Sequence, residues 1–420
     1  MQIAKIELSN FRGLEHKELT FDKQFNVIIG VNGIGKTSVL DSISVLLTRI
    51  LPRTTPSKAV SRQFIKNDLR YNSTGLAARL WLRFGALTLD YSLAQGFGEQ
   101  STLTENADLR TLRHIYEQHD SENITSLVGS PIALFYTTDR SSYRLSNKAP
   151  AIPRGRAAAY YGALRDKTIN FGSFVAWFAA KQALARESSN ARHLLKTVNI
   201  AIERFLPKFA KPTITKSPPR LFLRKGNVPL GIEQLSDGER SFLAMVVDIS
   251  RHLAQANPTS KNPLDDGEGV VLIDELELHL HPKWQRAVVE QLQTTFPRLQ
   301  FITTTHSPFV IQSLKQGQLI DFDPNTFDSE YSDKSIEDIT ETVMGVKMPQ
   351  KSDRYQRMIA TAEKYFRILR QANPQSADES QSIRRQLDAL TEPFSDDPAY
   401  VALLRLERET TLGETEDAPR

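Results

Sequence analysis

An α/β fold organised around a phosphate-binding loop is predicted by three segments of the chain. The first is Gly30-Val-Asn-Gly-Ile-Gly-Lys36-Thr37, which matches G-x-x-x-x-G-K-[ST]. The second is an apolar run from Gly269 to Ile273 that ends in Asp274-Glu275, and the third is the apolar run 300–305 that ends in His306. Short continuous apolar runs read as strands buried on both faces of a parallel sheet. The C-terminal edge of such a sheet is where its loops gather to bind ligands.

Each element can be justified along the chain. Residues 2–8 read as a strand and residues 24–29 as a buried strand closing on Val27-Ile28-Ile29, with residues 38–50 as the helix after the loop. A strand before the glycines and a helix after them is the setting the loop requires, because the helix N-terminus then faces the phosphates. The glycines let backbone N–H groups converge on phosphate oxygens, Lys36 supplies a point charge, and the Thr37 hydroxyl suits Mg²⁺. Asn32, Gly33, Gly35, Lys36, Thr37 and Ser38 are therefore the nucleotide-binding candidates of this loop.

Residues 76–93 read as a hairpin. The stretch 171–206 reads as one long helix, with Phe174, Trp177, Phe178, Lys181, Leu184, Leu194, Leu195, Val198, Ile202 and Phe205 at helical spacing; its aromatic residues are read as packing groups. Pro212 to Pro219 reads as a linker. Leu235-Ser236-Asp237-Gly238-Glu239 opens a helix over 239–254. A Ser and a Gly at that point suit an anion, and Ser236 with Glu239 equally suits an ordinary capping box. Asp274 is placed to hold Mg²⁺ and Glu275 to orient and deprotonate an attacking water. His306, at a strand end, is placed to sense a γ-phosphate.

Composition narrows the class. The chain has 420 residues, 40% hydrophobic and 24% charged, enough for one large lobe with an insertion or for two to three units. It has no cysteine, which excludes a disulfide scaffold and a cysteine-ligated zinc site and suits a reducing cytoplasm. No apolar run is long enough to span a bilayer. The net charge of +4 permits nucleic-acid contact without arguing for it. Basic residues do cluster around the middle of the chain, at Arg140, Arg144, Arg154, Arg156, Arg165 and Lys167 and again at Lys208, Lys211, Lys216, Arg220, Arg224 and Lys225. A solvated face and a phosphate-facing strip both remain open readings of that cluster.

These motifs in this order resemble the ABC-type ATPases of the SMC/RecF/OLD group. Asn10-Phe11-Arg12-Gly13 is similar to that group's N-terminal signature, and residues 235–239 to its signature loop, with Asp237 where a glycine is usual. The resemblance implies ATP and Mg²⁺ as cofactors and a homodimer or higher homo-oligomer. Arg12, Asn32, Gly33, Gly35, Lys36, Thr37, Ser38, Asp274, Glu275 and His306 of one protomer would face Ser236 and Gly238 of another. Thr37 and Asp274 would be the metal ligands and Glu275 and His306 the catalytic pair. Residues 277–282 resemble the segment carrying the D-loop, and Gln63 and Asp68 are the candidates for a glutamine loop. The implied architecture is a mixed sheet flanked by helices, with a helical insertion and a C-terminal helical extension. Its segments are 1–130 and 226–325 for the two halves of the ATPase domain, 131–225 for the insertion and 326–420 for the extension. The helical stretch is too short for the long coiled-coil arms of SMC proteins.

The tail adds a second resemblance. Trp284-Gln285-Arg286, Asp338 with Met348-Pro349-Gln350, and the run from Phe394 to Tyr400 are similar to the ATPases of Septu-type anti-phage systems, retron-linked forms included. That resemblance implies a partner HNH endonuclease and possible contact with DNA or with retron RNA/DNA; no membrane contact is expected, from the lack of a spanning apolar run. Residues 335–343, 355–371 and 392–416 read as helices, and nothing after Asp323 has the acidic pattern of a Toprim nuclease. Tyr355, Tyr365, Phe366, Phe394, Tyr400 and Leu403 are candidates for a partner surface. The competing functions are a RecF-like DNA repair ATPase and an ATP-gated assembly scaffold.

Overall fold

The computed structural model of the chain describes residues 1–58, 60–97, 101–108, 111, 130–141, 155–164, 171–207, 209–215, 220–322 and 334–346, with scattered helical positions between 356 and 389. In chain order the elements are β1 (Gln2–Phe11), β2 (Leu14–Thr20), β3 (Phe25–Ile29), α1 (Lys36–Thr54), β4 (Gly75–Phe84), β5 (Leu87–Phe97), β6 (Ser101–Ala107) and β7 (Ile132–Tyr136). They continue with α2 (Phe171–Leu184), α3 (Ser189–Phe205), β8 (Phe209–Ile214), β9 (Leu221–Lys225), β10 (Val228–Gly231), α4 (Asp237–Ala256) and α5 (Pro263–Asp266). The last are β11 (Gly269–Ile273), α6 (Pro282–Gln285), α7 (Val288–Thr295), β12 (Leu299–Thr304), α8 (Pro308–Gln312), β13 (Leu319–Asp321) and α9 (Ile336–Thr342).

The strands predicted at 24–29, 269–273 and 300–305 fall into place in a wholly parallel sheet of order β13-β3-β12-β11-β7, whereas residues 2–8 and the hairpin 76–93 do not join it. Every residue of β3, β7, β11 and β12 is buried, as uninterrupted apolar runs require. Antiparallel pairings are kept apart in a second five-stranded sheet, β2-β1-β4-β5-β6, and a small one, β10-β9-β8. Helix α1 packs on β12, β11 and β7 and on β4 of the antiparallel sheet, so the P-loop helix lies against both large sheets. Buried Gln300 stitches those two sheets together. Its amide donates to the carbonyls of Ile3 at 2.8 Å and Asp22 at 2.7 Å, and its oxygen accepts from Ile3 N at 2.7 Å.

Three sequence expectations change. Residues 132–136 fall in the segment assigned to the insertion, but pair in register with β11, Gly269 opposite Ile132 and Ile273 opposite Tyr136. The five-residue run Ile-Ala-Leu-Phe-Tyr is apolar enough to be buried throughout, so the nucleotide-binding sheet extends past residue 130. The long helix is two helices, broken at residues 185–188. Ser188 caps α3 by accepting from Ala191 N at 3.2 Å, and Arg192 closes the end of α2 by donating to the Ala185 carbonyl at 2.8 Å. The linker expected over 212–219 begins inside β8, whose register shifts between Ala210 and Thr213, a position at which a strand tolerates proline; residues 216–219 lie outside the described residues. The aromatic residues of α2 pack on one another as expected, with the Phe174 and Phe178 rings 5.7 Å apart.

Gly269 carries a stability prediction. It sits at φ +153°, and a Cβ there would lie 2.1 Å from the Ile132 carbonyl oxygen. Gly269→Ala must both strain the backbone and push β7 away from β11. It is expected to cost about 3 kcal/mol, seen as a lower midpoint of chemical unfolding; an unchanged midpoint would overturn the pairing.

The chain divides into two compact units, Met1–Ile339 and Thr340–Arg420. In the second, the described positions 356–357, 360–362, 364 and 367 are helical and Ala362 is buried, in keeping with the predicted helix over 355–371. The predicted helix over 392–416, the motif positions 348–350 and 394–400, the aromatic candidates Tyr355, Tyr365, Phe366, Phe394 and Tyr400, and Leu403 lie outside the described residues. So do Arg144, Arg154, Arg165, Lys167, Lys208 and Lys216 of the basic cluster.

Candidate nucleotide site

The site forms at the C-terminal edge of the parallel sheet, where β3, β11 and β12 lie side by side. The P-loop runs from the end of β3 into α1 through Gly30, Gly33 and Gly35, all at positive φ. A Cβ on Gly35, at φ +112°, would lie 2.9 Å from the Leu14 side chain, so both conformation and space require glycine there. Asn32, Gly33 and Thr37 are exposed, Ser38 is half-buried and Lys36 is buried. The Lys36 ammonium donates to the carbonyls of Gly30 at 2.7 Å and Val31 at 3.1 Å. Burial lowers its pKa below the ordinary lysine value, opposed by the carboxylates of Asp274, Glu277 and Glu275.

Asp274, buried at the end of β11, faces the P-loop. Its carboxylate accepts from the Thr37 hydroxyl at 3.0 and 3.1 Å and from the Thr304 hydroxyl of β12 at 2.6 Å. A hydroxyl and a carboxylate side by side are hard oxygen donors, a set that fits Mg²⁺. Glu275 follows at φ +50°, a conformation unusual outside glycine and common at functional sites. Its backbone N–H donates to Thr304 Oγ1 at 2.8 Å, so one hydroxyl holds both acidic residues. His306 lies at the end of β12, half-buried. Its backbone N–H donates to Glu277 Oε1 at 2.5 Å, and the Thr305 hydroxyl donates to Glu277 Oε2 at 2.6 Å. Ser307 then caps α8, accepting from Phe309 N and Val310 N, and donates to Gln285 at 2.5 Å.

Arg12 comes to the first turns of α1. Its guanidinium donates to Asp41 at 2.7 Å, Asp68 at 3.0 Å and the Ser38 hydroxyl at 3.4 Å. β1 continues into the N-terminal motif as far as Phe11. Asn10 and Arg12 both sit at positive φ, and Phe11 turns inward onto Phe64, ring centres 5.3 Å apart. Of the two glutamine-loop candidates, Asp68 is thereby tied to the site through Arg12, whereas Gln63 is exposed.

The signature loop forms a cluster of its own. Ser236 is the N-cap of α4 in a full capping box: its hydroxyl accepts from Glu239 N at 3.3 Å and donates to Glu239 Oε2 at 3.0 Å, and its N–H donates to Glu239 Oε2 at 3.1 Å. Gly238 is pressed against the segment that follows Glu275. A Cβ at Gly238 would lie 2.4 Å from the His279 carbonyl oxygen. The structure thus brings the P-loop, Asp274, Glu275 and Thr304 together. It ties His306 to Glu277 and sets Gly238 beside His279 and Leu280.

Thr304 is not a candidate by sequence, and Glu277 enters there only as the first residue of the D-loop-like segment. Thr304 lies inside the run Thr303-Thr304-Thr305 just before His306, and Glu277 two residues past Glu275, so the acidic and threonine-rich strand ends were the available signal.

A P-loop between a parallel strand and its helix, two acids on the strand two places along, and a capped signature helix define an ABC-type P-loop ATPase domain. The family model described as “AAA domain, putative AbiEii toxin, Type IV TA system” matches residues 25–312. That is more than half of the chain, and the chain belongs to this family. It is 28% identical over 384 residues to a protein named Retron Ec83 probable ATPase from Escherichia coli, covering 75% of this chain and 70% of that one. It is 26% identical over 380 residues to Retron Vc95 probable ATPase from Vibrio cholerae, covering 75% and 73%. To Septu protein PtuA from Bacillus thuringiensis it is 23% identical over 367 residues, covering 82% and 84%. Among the described residues no helix is long and apolar enough to cross a membrane.

Proposed function

We propose that this chain is the ATP-binding and hydrolysing regulatory subunit of an anti-phage defence system, controlling a partner HNH nuclease through ATP-dependent dimer closure in the cytoplasm. The observation that carries the reading is the similarity to retron and Septu ATPases along about three quarters of the chain, joined to a P-loop whose Thr37 faces Asp274. Gly33, Gly35, Lys36 and Ser38 hold the phosphates, with Asn32 and Arg12 flanking them. Thr37 and Asp274 hold Mg²⁺, which when bound neutralises phosphate charge. Glu275 takes the proton of the attacking water and His306 reads the γ-phosphate.

Ser236 and Gly238 would complete the site of a second copy. Ser236 is exposed at the start of the twenty-residue helix α4; its carbonyl accepts from Arg240 N at 2.9 Å, while its hydroxyl bonds only to Glu239 among the described residues, so that hydroxyl can turn to a phosphate. Residues 326–420 are assigned to the partner and nuclease chemistry to that partner.

The test is recovery of tagged protein from its native host with and without ATP, followed by mass spectrometry. The expected result is an HNH-type nuclease whose retention changes with ATP. Recovery of DNA and repair factors with no nuclease would favour the RecF-like reading, together with duplex binding that falls steeply with salt.

A further inference from the structure

We infer that Glu277 is a positioning residue for ATP turnover: its carboxylate pins the backbone of the His306 loop to the segment that carries Glu275. The inference rests on the ATPase reading of this site. Glu277 and His306 are 29 residues apart in sequence and stand on two adjacent parallel strands, β11 and β12, past their C-terminal ends. Both carboxylate oxygens are used. Oε1 accepts from His306 N at 2.5 Å and Oε2 from the Thr305 hydroxyl at 2.6 Å. Bonds to a charged acceptor are short and about twice as strong as neutral ones, and half-burial shields them from water.

The clamp is held at its own end as well. Leu278 N donates to the Glu275 carbonyl at 2.9 Å and Leu280 N to the Glu277 carbonyl at 2.8 Å, so residues 275–280 form two consecutive turns. On the far side Thr305 Oγ1 also accepts from Ser307 N at 3.1 Å, which carries the restraint into the cap of α8. A side chain whose oxygens both face protein donors is occupied as a hydrogen-bond acceptor. The proton transfer is assigned to Glu275. The work done by Glu277 is geometric: it fixes where the His306 ring begins.

Hydrogen bonding alone suffices for such a clamp, and this sets the test. Glutamine keeps an acceptor for His306 N, and the Thr305 hydroxyl can reverse and accept from the new amide; alanine keeps neither. Four full-length variants are compared with the native chain: Glu277→Ala, Glu277→Gln, His306→Ala and the double variant Glu277→Ala/His306→Ala. Hydrogen exchange of the peptide covering residues 303–308 reads the clamp itself, with no turnover needed. Exchange is expected to rise by about tenfold or more in Glu277→Ala and to stay within about threefold of native in Glu277→Gln.

In phosphate-release assays kcat should fall by about tenfold or more in Glu277→Ala. Affinity for a fluorescent ATP analogue should hold within about threefold, and Glu277→Gln should recover most of the rate. The double variant should be no slower than His306→Ala alone, because the two residues act in series. Unchanged exchange or unchanged turnover in Glu277→Ala would overturn the inference, as would fully multiplicative losses in the double variant or no recovery by glutamine. If the native chain releases no phosphate, the ATPase reading fails, and the exchange arm still decides the clamp.

Discussion

Glu275→Gln is expected to slow ATP turnover by about 10²–10⁴-fold, the range a positioned general base contributes, while ATP still binds and the dimer accumulates in its closed form. The backbone at this position depends on the N–H donated to Thr304 Oγ1 at 2.8 Å and on a φ of +50°, and neither involves the carboxylate. Glutamine matches the side chain in shape and leaves the Asp274–Thr37 pair untouched, so the metal-holding oxygens stay in place. What is lost is the group that accepts a proton. Phosphate release measures the rate, and light scattering in the presence of ATP measures the dimer. Turnover at the native rate would remove Glu275 from the role of base. Turnover lost together with ATP binding would mean that the substitution had disturbed the P-loop instead.

The site was legible where its chemistry is written in adjacent residues. Gly30 to Thr37, Asp274-Glu275 and His306 each sit at the end of a short apolar run, and the run itself tells where the strand stops. The fold class followed from the same runs. What the sequence does not carry is the lateral order of the strands. Only the order β3-β12-β11 sets Thr304 against Asp274 and Glu277 against Thr305, pairs separated by 30 and 28 residues.

The same limit hid β7. Ile132–Tyr136 is one more short apolar run, and without knowing that it pairs with β11 there was no reason to separate it from the segment that follows. The break between α2 and α3 was hidden for a local reason. Apolar spacing continues on both sides of it, and the stop lies in Ser188, whose hydroxyl caps the next helix where neither glycine nor proline marks the turn. The reading of Ser236 as a capping residue and the reading as an anion contact, level in the sequence, remain compatible: the capping box is present, and the Ser236 side chain is exposed.

Lys36→Met is expected to weaken ATP binding by about 100-fold or more while leaving the unfolding midpoint of the chain within a few degrees of native. Each charge-assisted hydrogen bond is worth about 1.5–3 kcal/mol, and two such bonds to phosphate amount to at least two factors of ten in affinity. Stability runs the other way. Burial holds the ammonium below its ordinary pKa, so the folded chain binds that proton less tightly than the unfolded chain does. The resulting penalty is fully present below the lowered pKa and is relieved as pH rises through it toward the ordinary lysine value. Methionine fills the same volume without charge and removes the penalty. Against this stands the loss of two bonds to the Gly30 and Val31 carbonyls, of which Val31 is largely exposed and can turn to water.

The sign also sets a pH dependence. ATP supplies the negative charge that restores the proton, so native affinity should fall as pH rises through the lowered pKa, and Lys36→Met should lose that slope. Titration calorimetry across the alkaline range measures both. ATP affinity within threefold of native in Lys36→Met would show that the loop is not the phosphate site. A large drop in the unfolding midpoint would show instead that the ammonium stabilises the loop it sits in.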